Sequence, residues 1–227
     1  LYGTGRKFKD YQDLKPKREI IEEHYIPRIK EMHRVLKYTG SIYLQMDYKI
    51  SHWIRCVMDD VFGYENMVNQ IIWNYQRWAN STKNFTRQND HILFYSKTKK
   101  YTFNNLFEPF SEKSKHKGKR YSEWENGSLK TKKYVNNDRL KNMSDVWNIS
   151  YLNPMSKEKN GYNTQKPKAL IERIIKASSN EGDLVADFYA GSFTTAEVCK
   201  DLNRNFIGCD ISEKAVQIGR ARVDSNV

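Results

Sequence analysis

Apolar residues recur along this chain at helical and strand spacings in alternation. Ile21, Tyr25, Ile29, Met32 and Leu36 follow one another at steps of four, four, three and four, the spacing of one helix face. Pro16 opens that helix, Pro27 is expected to kink or split it, and Lys37 and Gly40 close it. Ser41 to Gln45 reads as a strand. Ile50, Trp53, Ile54, Val57, Met58 and Val61 make a second amphipathic helix, stopped at Gly63. Val68 to Tyr75 and His91 to Ser96 read as two further strands. The alternation resumes near the C-terminus. Leu170, Ile171, Ile174 and Ile175 predict a helix, Leu184-Val185-Ala186 a strand, Ala196 to Leu202 a helix and Phe206 to Cys209 a strand. A last helix runs from Ser212, as N-cap, to Val223. Helices alternating with buried strands predict an α/β sheet.

Candidate chemistry sits in the strand–loop–helix step at 184–202. Asp187-Phe188-Tyr189-Ala190-Gly191-Ser192-Phe193-Thr194-Thr195 is a small-residue loop that would present backbone N–H groups at a helix N-terminus. The next strand ends in Asp210, where a fold of this type holds ribose hydroxyls. The loop has neither the GxxxxGK phosphate cradle nor the dinucleotide GxGxxG. It therefore predicts a nucleoside cofactor other than ATP or NAD.

Charge names the partner. The chain has 227 residues, a net charge of +12 and a pI near 9.4, so a polyanion, nucleic acid first, is the natural ligand. Residues 97–141 hold 13 Lys/Arg against 5 Asp/Glu, without clear periodicity. Tyr101, Phe103, Phe107, Phe110, Tyr121, Trp124 and Tyr134 are dispersed among them. Cations meet phosphates and planar rings stack on bases, so this stretch reads as a nucleic-acid surface. The competing reading is a solvated linker pinned to the domain by a few aromatics. No apolar run of about eighteen residues predicts a membrane span, and no signal peptide is visible. Cys56, Cys199 and Cys209 lack metal or disulfide spacing and suit a reducing cytoplasm. The histidines show no ligand spacing, and no metal is expected. The chain starts without Met, in the turn-rich Leu1-Tyr2-Gly3-Thr4-Gly5, and a preceding segment is expected.

Thr164-Gln165-Lys166-Pro167, the helix after it, the 187–195 loop and Ile207-Gly208-Cys209-Asp210 together resemble the DNA amino-methyltransferases. The resemblance is to their β permutation group, in which the catalytic motif precedes the cofactor motif. There a T-Q-K-P turn is followed by D-x-F-A-G-S-G-T-T and then by Gly-x-Asp/Glu. Arg34 to Leu44, Asp47 to Gly63, Asn89 to Lys97 and Asp145-Val146-Trp147 look like further steps of the same family. The resemblance covers nearly the whole chain. It implies a Rossmann-like methyltransferase sheet with helices on both faces and a basic insertion for target recognition. The divisions would be a catalytic half at 1–96, the insertion at 97–145 and a cofactor-binding half at 146–227.

It also implies S-adenosylmethionine as cofactor, held by Thr164, Gln165, Lys166, Pro167, Asp187, Phe188, Tyr189, Gly191, Ser192, Thr194 and Thr195, with Asp210 on the ribose. The implied function is site-specific methylation of adenine N6 in double-stranded DNA, on a base turned out of the duplex. Methylation of cytosine N4, or a catalytically degenerate DNA-binding member, are the alternatives. A homodimer and a cognate restriction subunit are the further partners it suggests. The family takes the amine hydrogens on an Asp/Asn/Ser-Pro-Pro loop whose closing aromatic stacks on the base. Tyr2 would be that aromatic, with Leu1 where a proline is expected and the polar residue upstream of the chain. A second departure is Phe193, in place of glycine. At positive φ it would be strained, and with its ring toward the cofactor it would weaken binding relative to glycine.

Overall fold

The computed structural model describes residues 7, 13–76, 82–110, 120–125, 128–133, 140–153 and 155–224, with backbone alone at 120–125, 129, 131–133 and 224. Contacts divide the chain into one unit of residues 1–104 with 145–227 and a second of 105–144.

The larger unit begins with helix α1 (Arg18–Val35), followed by strand β1 (Ser41–Met46), helix α2 (Ser51–Phe62) and strands β2 (Met67–Asn74) and β3 (Asn89–Ser96). Ile21, Tyr25 and Ile29 are buried on α1, as their spacing requires. Pro27 does not split the helix, which runs on through it. Its neighbours Tyr25 and Ile29 are locked into the core, and that packing outweighs the roughly 3 kcal/mol a mid-helix proline costs. The α1 end is held instead by Lys97, whose Nζ donates to Leu36 O (2.7 Å) and Arg34 O (3.2 Å). A cation there also meets the negative end of the helix dipole.

Strand β3 is central. It pairs antiparallel with β1 and with β2, and β2 pairs parallel with β8 (Val146–Asn148). Its burial is nearly continuous because both faces are covered. On one face Leu44, Met46, Leu93 and Tyr95 pack against α1 and α2. On the other, Ile71, Trp73, Ile92, Phe94 and Trp147 pack against Leu170 and Ile174 of helix α3 (Lys168–Ser178).

The C-terminal part adds strand β9 (Leu184–Asp187), helix α4 (Thr194–Asp201), strand β10 (Asn205–Gly208) and helix α5 (Glu213–Asp224). β9 and β10 pair in parallel. Ser212 caps α5, its Oγ accepting the Ala215 N–H (3.3 Å). Two contacts fix how β9 runs relative to β1. Lys37, before β1, bridges Asp183, before β9, at 3.8 Å. Tyr189, after β9, meets His24 and Tyr25 of α1, nearly three turns back from the α1 end that leads into β1. The two strands therefore run the same way. Their C-terminal ends, with those of β2 and β8, share one rim, the edge where open α/β sheets bind ligands.

In the smaller unit β4 (Phe107–Pro109) pairs with β7 (Leu140–Asn142), and β5 (Arg120–Glu125) with β6 (Ser128–Lys133), both antiparallel. The lack of period at 97–141 had left these strands unmarked. Lys97, Lys99, Lys100, Tyr101 and Phe103 belong to the larger unit. Tyr101 and Phe103 pack on Phe94 at 6.1 and 6.2 Å between ring centroids, so these two rings pin the chain to the body. Asn104 ends the unit by donating its backbone N–H to Ala177 O (2.7 Å) and its amide to Lys176 O and Ser179 O (3.0 Å each), which caps α3.

Candidate active site

The loop after β9 is built around Asp187. One carboxylate oxygen accepts the Tyr189 N–H (3.1 Å) and the other the Thr195 hydroxyl (2.6 Å), so the residue ties the first turn of α4 back to the strand. Burial pushes its carboxyl above the usual carboxylate range, against the two hydrogen bonds and with the charge of Asp210. Asp210 closes the loop from the neighbouring strand. Its Oδ2 accepts the Gly191 N–H (2.8 Å) and its Oδ1 the Ser212 N–H (2.9 Å). Ala190 N–H donates to Cys209 O (3.1 Å). Gly191 has φ +51°, and a β-carbon there would lie 3.2 Å from the ring of Tyr162, which covers it. Both observations favour glycine here.

The other loop residues divide by direction. Ser192 and Thr194 are buried and their hydroxyls bond each other (2.9 Å), so they stiffen the turn from inside. Phe188 is 37% exposed on the rim. Tyr189 turns to α1, with its hydroxyl 3.2 Å from His24 Nε2. Burial, aided by Arg28, pushes His24 down to about 4, so the ring is neutral at pH 7. Phe193 has φ 54° at the N-cap of α4, the positive angle that sequence left open. Its ring is turned into the core. It is buried with Tyr162, Ala190, Ala196 and Ala215, edge-on to Phe206 at 6.2 Å.

The 164–167 turn lies beside this loop through its neighbours. Tyr162 packs on Gly191, and Lys168 Nζ bonds Glu197 (2.9 Å) and Asp201 (2.8 Å) of α4. Glu197 also pairs with Arg222 of α5, joining three helices behind the loop. Gln165 is engaged with its own loop, donating to Glu158 O (2.7 Å) and accepting the Asn160 N–H (2.9 Å). Lys166 Nζ reaches Thr164 O (3.3 Å), and Pro167 is the buried N-cap of α3. Tyr2 lies outside the described residues.

Three features escaped sequence reasoning. Ile211 is 91% exposed directly after Asp210, an apolar surface beside an acid at the rim. The signal was available, since an isoleucine between a strand end and a helix cap has no core to enter. Tyr162, whose ring covers Gly191, is a second. Asp90 is held at the rim by Gln45 (2.7 Å) and Tyr75 (3.2 Å), from β1 and the end of β2.

The donor set fits a nucleoside carrying a charged amino acid. Asp210 uses one lone pair on each oxygen, which leaves acceptors for two hydroxyls. Phe188 and Ile211 offer apolar surface for a flat base. No lysine or arginine stands in the loop between Asp187 and Thr195 to meet a phosphate.

Known proteins resemble this chain in sequence and in fold. The model of a DNA methylase family, N6_N4_Mtase, matches residues 1–221. The chain is 37% identical over 199 residues to the Type II methyltransferase M.HpaI of Haemophilus parainfluenzae, covering 87% of this chain and 57% of that protein. It thus spans little more than half of that relative's length. It is 30% identical over 225 residues to the DNA adenine methyltransferase YhdJ of Escherichia coli (strain K12), covering 98% of this chain and 73% of that protein. The crystal structure of an M1.HpyAVI–SAM complex shares the fold at a TM-score of 0.59 and 21% identity, covering 88% of this chain and 81% of that one.

Proposed function

This chain belongs to the DNA methylase family, and we propose that it methylates adenine N6 at specific sites in double-stranded DNA, with S-adenosylmethionine as donor. The observation that carries the reading is the closed loop in which Asp210 holds Gly191 while Asp187 holds Tyr189 and Thr195. Its preformed geometry suits the cofactor. Asp210 takes the ribose hydroxyls, Phe188 and Ile211 flank the base, and Asp187 with the 164–167 turn faces the amino-acid part. S-adenosylmethionine, when bound, supplies a methyl group on a positive sulfur. The protein contributes position and electrostatics, because the exocyclic amine is a poor nucleophile until its hydrogens are drawn into hydrogen bonds. Tyr2 is the ring that stacks on the turned-out base in this reading.

Adenine is preferred to cytosine N4 on the likeness to a DNA adenine methyltransferase. The rest of the reading is duplex DNA as partner, the 105–144 unit for target recognition, a homodimer, a cognate restriction subunit and a cytoplasmic location. The test is incubation with labelled S-adenosylmethionine and unmethylated duplex DNA, followed by hydrolysis and identification of the modified base. Label in N6-methyladenine is expected. Label in N4-methylcytosine reassigns the base, and no transfer at saturating cofactor overturns the reading in favour of a DNA-binding member without turnover.

A further inference from the structure

The connection between β2 and β3 carries an outlying phenylalanine. Phe85 is fully exposed, and Lys83 and Arg87, both exposed, flank it two residues to either side. A single exposed apolar residue is ordinary in itself. This one has anchored neighbours. Tyr75 N–H donates to Gln88 O (2.8 Å), closing the neck. The Arg87 guanidinium lies over the Tyr48 ring, 3.3 Å from its centroid. Tyr48 belongs to the turn after β1, where Asp47 Oδ1 accepts the Lys49 N–H (2.9 Å) and Asp47 O the N–H groups of Ile50 and Ser51. Phe85 is thus close in sequence to two anchored residues, Arg87 and Gln88, with cations beside it. It stands on the same rim as Asp187 and Asp210.

We propose that Phe85 is a wedge that enters the base stack of duplex DNA next to the turned-out base, with Lys83 and Arg87 against the flanking phosphates. This rests on the reading of the chain as a DNA methyltransferase. Turning a base out leaves a gap and breaks stacking. An apolar ring in that gap replaces the lost contacts and holds the duplex open. The neighbouring cations supply the phosphate attraction that brings the ring to the helix. Stacking on Tyr48 keeps the Arg87 charge while limiting its orientation.

The test reads unwinding separately from chemistry. Nicked circular DNA is sealed by ligase with bound protein, and the topoisomers are resolved. Wild type is expected to shift the distribution toward unwound forms. Phe85→Ala, at DNA occupancy matched by filter binding, is expected to shift it at least threefold less, and Phe85→Trp to retain the shift. With the modified site mapped, Phe85→Ala should lower methyl transfer tenfold or more on intact duplex. On the same duplex with a mispaired target base it should lower transfer less than twofold. No shift by wild type, or an equal shift by Phe85→Ala, overturns the wedge. A shift that depends on Phe85 without any methyl transfer supports the wedge and overturns the methyltransferase reading.

Discussion

The ring of Phe193 occupies the place of a side chain at Gly219. A β-carbon on Gly219 would come within 2.5 Å of Phe193 Cγ. The loop residue that departs from the glycine pattern is thus matched by a glycine in the facing helix α5. Gly219→Ala should gain about 1 kcal/mol of helix propensity and lose about 1–3 kcal/mol to overpacking. A lower melting temperature is expected by calorimetry, and an unchanged or higher one would show that the ring can move away.

Phe193→Gly tests what the ring does for the cofactor. Removing a buried phenylalanine costs about 3–5 kcal/mol, and glycine relieves about 1–2 kcal/mol of left-handed backbone strain. A net loss of stability is therefore expected. Because the ring is buried with α5 and not turned to the rim, S-adenosylmethionine should bind no tighter to the glycine variant. Tighter binding by titration calorimetry would restore the view that Phe193 obstructs the site.

Asp210 has two roles that substitution can separate. It accepts the N–H groups of Gly191 and Ser212, and it is assigned the ribose hydroxyls. Hydrogen bonds to a charged group contribute about 1.5–3 kcal/mol each. Asp210→Ala should then weaken S-adenosylmethionine by about 10- to 100-fold or more. Asp210→Asn retains one carbonyl oxygen and should fall between. If both variants bind as wild type does, the acid serves only to hold the loop.

The pH dependence follows from His24. Its folded pKa is lowered to about 4 from an ordinary 6.5, chiefly by burial and then by Arg28. The unfolded chain therefore binds the proton more readily, and this group's contribution to stability is present above pH 6.5 and lost as pH falls toward 4. The wild-type melting temperature should rise through that window. His24→Gln should flatten the rise. An identical pH profile for the variant would mean that burial beside Arg28 does not keep the ring neutral.

The fold was legible where burial is local to the sequence. Ile21, Tyr25 and Ile29 marked a helix face. The apolar run through Ile92 to Tyr95 marked a strand covered on both sides. Asp187 and Asp210 were found because strand–loop–helix steps place acids at predictable points. What escaped depends on partners far away in the chain. Pro27 stays helical because of the core around Tyr25. The direction of Phe193 depends on Gly219, and His24 meets Tyr189 across 165 residues. Lys97 looked like the first cation of a nucleic-acid surface, yet it caps α1, which only the folded position of β3 reveals. In 105–144 the strands are short and their alternation is masked by charge.

The last prediction concerns that smaller unit. It holds 10 Lys/Arg against 5 Asp/Glu, and its Lys141 is paired with Glu108 (2.8 Å). If it tracks the phosphate backbone, each cation against a phosphate adds about 0.9 to the slope of log affinity against log salt. Lys130→Gln with Lys132→Gln should therefore reduce that slope by about one to two, and weaken binding to all sequences alike. Affinities measured at several salt concentrations decide the matter. An unchanged slope for the double variant would remove β6 from the DNA-contacting surface.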